Sequence, residues 1–240
     1  MDKFRVETIA ATPNPQQLVW AAMHQDYSED LVIDGKNKFP DETKAGELIV
    51  KHLLAGNRGH YGCTEHPQIT FNVGYFPHSM MQQIRTHRVG MSFDVQSFRY
   101  TGSRITDVVE GKRELEDVFY LRPVGNYTNR QGKRYFYSEE QRAKDLEWCL
   151  DACKLYQKRI NEGLSEEHAR SLIPFDARQH FVMSCNARSV MHLLDLRWKK
   201  DAQLEAQKLC ELVYLRFEEW MPALAHWYQD NRAKKARLSP

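Results

Sequence analysis

Apolar residues recur at three- and four-residue intervals along most of this chain, which is the spacing of amphipathic helices. The clearest example is Ala45, Leu48, Ile49 and Leu53, and similar stripes follow in the second half of the chain. Residues typical of helix starts precede these segments: Asp41, Pro77, Ser138 with Gln141 as a capping box, Ser165, Asn186 and Pro222. Glycine at 56 and 163 is expected to end two of the helices.

Shorter segments alternate between apolar and polar residues, as half-buried strands do. Gln68–Tyr75 and Gln179–Cys185 show this alternation, and we also expect strands at Val95–Tyr100 and Val118–Leu121. An initial strand and a short helix are expected before residue 25. With 240 residues, of which 42% are hydrophobic, the chain can bury one sizeable core. We therefore predict a single domain over 1–240, with a core of about 1–228 and a mobile basic tail at 229–240.

Charge and cysteine content exclude several classes of protein. Thirty-four basic and 32 acidic residues leave a net charge of +2, so no global field favours nucleic acid or a membrane. No apolar run is long enough to span a bilayer and no secretory signal begins the chain, which predicts a cytoplasmic protein. The five cysteines form no C-x-x-C pair, so neither a disulfide framework nor a zinc knuckle is indicated.

The segment Gln82–Tyr100 concentrates polar chemistry that a core would not contain. It carries four basic side chains, Arg85, His87, Arg88 and Arg99, among glutamine, serine and aspartate. The helix predicted from Pro77 would continue to Arg88 and place Gln83 and His87 on one side, before Gly90 turns the chain. Guanidinium groups match phosphate or carboxylate oxygens, and amide or hydroxyl groups can bind a heterocycle edge. The segment is thus suited to a nucleotide-like anion.

Three other segments allow a functional and a purely structural interpretation. His60, Cys63, Glu65 and His66 lie in a glycine-interrupted loop that could hold a metal, although we expect none. Glu167 and Arg170 are three residues apart on a helix and could be a simple surface pair. In N-A-R-S-V-M-H-L-L-D-L-R the helix would face the core with its leucines. Its polar stripe would contain Arg188, His192 and Asp195, and Arg197 would either complement the helix dipole or act in catalysis.

These segments resemble the motifs of the flavin-dependent thymidylate synthases. T-H-R-V-G-M-S-F-D-V-Q-S is similar to the family's R-H-R, seven residues, Ser. It differs in having Thr86 at the first arginine and one additional residue before Ser97. Arg85 is expected to replace the missing charge. The loop from His60 to His66 is similar to G-H-x-x-x-x-E-H, with Gly62 where threonine often stands. E-x-x-R at Arg170 and the run from Asn186 to Arg197 complete the resemblance.

The resemblance implies reductive methylation of dUMP to dTMP, with FAD as cofactor and NADPH and methylenetetrahydrofolate as co-substrates. It implies an α+β fold with a mixed sheet flanked by helices, assembled as a homotetramer with sites between subunits. Arg197 would be catalytic. The flavin would contact His60, Gly62, Thr86, His87, Arg88, Asn186, Arg188 and His192. The nucleotide would contact Gln83, Arg85, Gln96, Ser97, Arg99, Arg170 and Arg197.

Two other functions are compatible with the same residues. A nucleotide- or RNA-binding protein could use Arg85, Arg88 and Arg99 with Phe98 and Tyr100 as a stacking platform. A flavoenzyme could act on a different heterocycle. No G-x-G-x-x-G follows a strand, so a dinucleotide-binding Rossmann fold is not expected. No cysteine lies in a P-C-H context, and Cys63 and Cys185 are predicted to be dispensable.

Overall fold

A computed structural model describes residues 3–55, 60–129 and 131–235. Its strands are β1 (Arg5–Ala11), β2 (Gln68–Pro77), β3 (Met91–Val95), β4 (Gly125–Thr128), β5 (Arg134–Tyr137) and β6 (Arg178–Asn186). Its helices are α1 (Pro15–Gln25), α2 (Glu42–Ile49), α3 (His78–Ile84), α4 (Phe98–Thr101), α5 (Ser103–Val109), α6 (Leu115–Val118), α7 (Glu139–Asn161), α8 (Glu166–Ala169), α9 (Ala187–Arg197), α10 (Leu204–Trp220) and α11 (Pro222–Asn231). Short 3₁₀ helices span Val32–Lys38, Gly62–Glu65 and Arg170–Leu172.

Four strands form one sheet in the order β1-β2-β6-β3, and β4 pairs with β5 in a separate antiparallel hairpin. The chain divides into two compact units. The α7 unit comprises Gly74–Gln83 and Val95–Phe181, and the α9 unit comprises the described residues of 2–73, 84–94 and 182–240. The predicted α+β class is confirmed, and the extent of the domain stays a prediction.

The α7 unit is built on the long helix that the capping box predicted. Ser138 Oγ accepts the Gln141 N–H at 3.2 Å, and Gln141 Oε1 accepts the Ser138 N–H at 2.9 Å. One face of α7 buries Cys149, Cys153 and Tyr156 in an apolar cluster. The cluster also contains Ile105, Val108, Val118, Phe119, Ala169 and Ala177. Capping and periodicity therefore fixed this helix locally, as expected.

The α9 unit contains the remaining long helices. Asp41 caps α2 by accepting the Lys44 N–H at 2.8 Å, and a π-helical turn, Val50–Leu54, extends the helix and buries its last two leucines. Asn186 caps α9, and Pro222 is the first residue of α11, as predicted. The predicted end of α2 at Gly56 lies outside the described residues.

Three predicted elements are wrong. Helix α3 ends at Ile84 and the His87 N–H closes a turn onto the Ile84 carbonyl at 3.1 Å, so Gln83 and His87 do not share a helix face. The strand lies at Met91–Val95 instead of 95–100. Ser97 instead caps α4, because its Oγ accepts the Arg99 N–H, and such local bonds compete with strand pairing. Val118 instead ends a helical turn, α6, and residues 119–121 form only an isolated bridge from Phe119 to Ala177.

Candidate active site

The predicted site residues form two clusters, one within each unit. His60, Gly62, Arg85, Thr86, His87, Arg88, Asn186, Arg188, His192 and Arg197 belong to the α9 unit. Gln83, Gln96, Ser97, Arg99 and Arg170 belong to the α7 unit. Each cluster is described by itself below.

The first turn of α9 is closely attached to the turn at Gly90. Asn186 Oδ1 accepts the Ser189 N–H at 2.8 Å and so caps the helix. Ser189 Oγ in turn donates to the Val89 carbonyl at 2.8 Å, and the Asn186 N–H donates to the Gly90 carbonyl at 3.3 Å. These bonds hold the segment 86–91, with Thr86, His87 and Arg88, at the start of α9.

The last turn of α9 brings Arg197 to His87. Arg197 Nε donates to His87 Nε2 at 3.0 Å, and the His87 ring meets the His192 ring edge to face with centroids 5.2 Å apart. Because Nε2 accepts a hydrogen bond, the proton of a neutral His87 must lie on Nδ1. The bond uses Nε of the guanidinium and not its terminal amino groups. Arg197 is thus oriented by a neutral imidazole.

Burial keeps His87 neutral. His87 is 5% exposed, and its burial, with Arg197 and His192 nearby, lowers its pKa from 6.5 to about 4. The unfolded chain therefore binds the extra proton between pH 6.5 and 4, whereas the folded chain does not. We expect stability to fall by about 3 kcal/mol as the pH drops through that window, and to regain none of it on further acidification.

Chemical denaturation at a series of pH values would measure this loss. A His87→Phe variant, which cannot take up the proton, should show a correspondingly shallower decline between pH 6.5 and 4. Equal slopes for the variant and the parent would contradict the assignment.

The loop before β2 is joined to α9 by an ion pair. Arg188 Nη1 lies 2.5 Å from Glu65 Oε1, which places the 3₁₀ helix Gly62–Glu65 beside the first turn of α9. His60 is exposed. Gly62 has a negative φ, and nothing lies within 4 Å of the position that a Cβ would occupy. A side chain as small as threonine therefore fits at this position without rearrangement.

The α7 unit gathers Ser97, Arg99 and Arg170. Arg170 Nη1 donates to Ser97 Oγ at 3.4 Å. Arg99 forms an ion pair with Glu167 and donates to Tyr100 Oη at 3.0 Å. The simple surface pair of Glu167 with Arg170 is therefore replaced by a longer-range pair with Arg99. Two guanidinium groups and a hydroxyl converge here, and such a group can bind an oxyanion.

Several residues of these clusters carried no signal in the sequence. Arg104 is 7% exposed; it donates to the Arg178 carbonyl at 2.6 Å and lies 4.5 Å from the centre of the Phe98 ring. Asp195, predicted on a polar stripe, is 2% exposed and pairs with Arg232, which is itself buried although the segment was predicted to be mobile. Spacing alone gave no reason to connect residues so far apart in the chain.

The α9 unit also contains a cavity of about 680 Å³ that the sequence did not predict. Its wall is formed mainly by α1 and the 3₁₀ helix Val32–Lys38, with Leu18, Ala21 and Phe39 among its lining residues. His66, from the loop that precedes β2, completes the lining. The volume is in the range of small-molecule sites.

Other features bear on alternative chemistries. The five cysteines are free, and burial raises the pKa of the Cys185 thiol to about 12 and that of Cys63 above its usual value, which disfavours a thiolate. Within residues 3–55, 60–129 and 131–235, no three His, Cys, Asp or Glu side chains are grouped as metal ligands. Over the same residues, none of the helices combines the length and apolar character needed to cross a bilayer.

Comparison with known proteins connects this chain to one family. Residues 7–223 match the family described as "Thymidylate synthase complementing protein". The flavin-dependent thymidylate synthase of Haloarcula marismortui is 32% identical, over 98% of this chain and 99% of its own. That of Halobacterium salinarum is 31% identical, over 98% and 100%.

Solved structures show the same fold. A UMP/dUMP methylase from Streptomyces cacaoi, bound with 5-Br dUMP, superposes with a TM-score of 0.77 at 22% identity, over 100% of this chain and 98% of that one. Thymidylate synthase X from Helicobacter pylori, with FAD and dUMP, gives 0.67 at 18% identity, over 98% and 99%. With its family match extending over residues 7–223, the chain belongs to the flavin-dependent thymidylate synthases.

Proposed function

We propose that the two clusters divide the work of the family's reaction between them. That reaction is the reductive methylation of dUMP to dTMP, with FAD as cofactor and NADPH and methylenetetrahydrofolate as co-substrates. In the proposal, the α9-unit cluster binds the flavin and polarises the uracil ring, and the α7-unit cluster binds the nucleotide phosphate. The observation that carries it is the contact of Arg197 with a buried, neutral His87.

The α9-unit cluster has the donors that a flavin dinucleotide requires. Arg88 is an exposed cation and Arg188 is half-buried, and guanidinium groups bind diphosphate oxygens through charge-assisted hydrogen bonds. Arg85 is also exposed and stays proposed for the nucleotide. Asn186 and His192 add neutral polar groups that suit a heterocycle edge. When bound, the flavin supplies the hydride, and the protein binds and orients it.

Arg197 is proposed to stabilise negative charge on the uracil ring. Its guanidinium is half-buried and held at Nε by His87, and its terminal N–H groups take no part in that bond. A donor fixed in this way needs little reorganisation when charge develops, which is the condition for electrostatic catalysis. A protonated His87 could not accept the bond, so its lowered pKa keeps the arrangement intact near neutral pH.

Ser97, Arg99 and Arg170 are proposed to bind the phosphate of dUMP, with Gln96 adjacent to Ser97 in the chain and Gln83 in the same unit. Arg99 is paired with Glu167, and we propose that this carboxylate takes the part of a phosphate oxygen when no substrate is bound. The pKa of Glu167 is lowered chiefly by the hydrogen bond from Arg99, so the carboxylate is charged at neutral pH. The substrate must therefore compete with Glu167 for Arg99.

We expect Glu167→Gln to lower the KM for dUMP by up to about fivefold, because an exposed ion pair is weak and its loss leaves Arg99 to the substrate. Steady-state kinetics at fixed co-substrate concentrations would measure it. Glu166→Gln is a suitable control, since its carboxylate lies in the same first turn of α8. A higher KM for Glu167→Gln would show that the carboxylate orients Arg99 instead of competing for it.

The activity itself is tested by tritium release from dUMP labelled at the ring carbon, with NADPH and methylenetetrahydrofolate supplied. A flavin absorption band in the purified protein, and a change in it on adding dUMP, would accompany that activity. Colourless protein without tritium release would overturn the proposal. The RNA-binding alternative loses support, because Arg104 lies over one face of Phe98 and so leaves less of that ring for a base to stack on.

We also propose assembly as a homotetramer and a cytoplasmic location. Exposed apolar side chains in the α9 unit support the assembly, among them Ile9, Leu31 and Ile33, which are between 57% and 66% exposed. Light scattering coupled to gel filtration would measure the mass; a monomer would contradict the proposed assembly.

A further inference from the structure

The last turn of α9 contains a buried carboxylate, Asp195, two residues before Arg197. Its side chain accepts three hydrogen bonds from the end of the chain. Tyr228 Oη donates at 3.0 Å, Arg232 Nη2 at 2.7 Å and Arg232 Nε at 3.4 Å. Asp195 and Arg232 are 2% and 7% exposed. Burial raises the pKa of Asp195, and Arg232 and Tyr228 counteract it, so the carboxylate depends on these partners for its charge.

A second contact lies on the other side of Arg197. Lys234 Nζ lies 4.8 Å from the centre of the Trp198 ring, and Trp198 also packs against Tyr214 of α10, with ring centroids 5.0 Å apart and planes tilted by 32°. The chain reaches both contacts through a tight turn after α11. There the N–H groups of Arg232 and Ala233 both donate to the Tyr228 carbonyl, at 2.8 Å and 3.0 Å. The two contacts therefore flank Arg197 in sequence.

This geometry limits the freedom of Arg197. A helix end normally frays, because its last carbonyls lack partners within the helix. Here Asp195 and Trp198 are both held, and the Arg197 side chain between them reaches His87. A shift of about 1 Å in a group that must meet a reacting ring can cost as much as 100-fold in rate. Fixing the helix end thus has a catalytic consequence beyond stability.

We propose that Arg232, assisted by Tyr228 and Lys234, is a positioning residue that fixes the guanidinium of Arg197 for catalysis. The inference rests on the role proposed above for Arg197. Arg232 itself is buried against Asp195, and its proposed effect is exerted through Arg197. Its planar, forked donors match the carboxylate in a way that lysine cannot. Arg232→Lys should therefore keep the positive charge but only part of the orientation of Arg197.

A double-mutant cycle distinguishes positioning from general stabilisation. Turnover is measured per bound flavin, at a temperature well below the thermal unfolding midpoint of each variant. In the parent background, Arg232→Met is expected to lower kcat about tenfold, and Arg232→Lys is expected to lower it by a smaller factor. In an Arg197→Ala background, Arg232→Met should lower kcat less than twofold. Arg216→Met is the matched control, since Arg216 pairs with Glu219 on α10 of the same unit, and its kcat should stay within twofold.

Equal losses of kcat in both backgrounds, or an unchanged kcat for Arg232→Met, would overturn the inference. If Arg232→Met fails to fold, the same double-mutant cycle is measured with Arg232→Lys and with Lys234→Ala. Each of these variants removes only part of the contacts that hold the end of α9. An Arg197→Ala variant that keeps the parent kcat would instead refute the proposed role of Arg197. The two failures are therefore separable.

Discussion

Replacement of Arg197 by alanine is expected to lower kcat for dTMP formation by about 100-fold, while flavin stays bound. One well-placed donor to a developing charge contributes about 3 kcal/mol, and each decade in rate corresponds to about 1.4 kcal/mol. Arg197 is held for this role, because His87 Nε2 holds its Nε at 3.0 Å and the nearby Asp195 and Trp198 are buried. Tritium release under saturating dUMP measures kcat directly.

Arg197→Lys separates charge from geometry. A lysine keeps the charge but has no planar Nε–H to donate to His87, so we expect it to recover less than half of the lost activation free energy. Flavin content per chain, read from absorbance, is the internal control. If Arg197→Ala, fully loaded with flavin, had a kcat within threefold of the parent, another group would have to stabilise the ring charge.

Local signals predicted the elements that carry the site, because each depends on neighbouring residues. Asn186 accepts the N–H of Ser189, three residues on, and the alternation of Gln179–Cys185 corresponds to β6. The boundaries of α3 and β3 were wrong for the same reason. Within Gln82–Tyr100, signals for a helix, a strand and a helix cap overlap over a few residues. Ser97 forms the N-cap of α4 instead of continuing a strand.

The contacts that orient the site could not be predicted from spacing. Arg197 and His87 are 110 residues apart, Arg99 and Glu167 are 68 apart, and Arg232 and Asp195 are 37 apart. Each pair joins side chains whose partners are set by packing, and a charged residue in sequence looks the same whether it is solvated or buried. Asp195 therefore seemed to belong to a polar stripe, although its carboxylate is buried with Arg232.

The turn at Gly90 should tolerate no side chain. Gly90 has a φ of +65°, and a Cβ there would lie 2.3 Å from Ser189 Oγ and 2.4 Å from Asn186 Nδ2. Gly90→Ala therefore combines an unfavourable left-handed backbone with displacement of the cap of α9, about 1 kcal/mol or more from each. We expect a loss of about 3 kcal/mol in the free energy of unfolding and a large drop in bound flavin.

The control for Gly90→Ala is Gly111→Ala, because Gly111 has a φ of +70° and nothing lies within 4 Å of its would-be Cβ. Both variants carry the backbone penalty, so the difference between them isolates the contact with Asn186 and Ser189. Chemical denaturation and flavin absorbance per chain measure the two effects. If both variants lost equal stability and kept full flavin, the close approach of the 86–91 segment to α9 would have no role in holding the cofactor. A flavin loss confined to Gly90→Ala would instead connect one backbone turn to the binding of the flavin dinucleotide that Arg88 and Asn186 are proposed to hold.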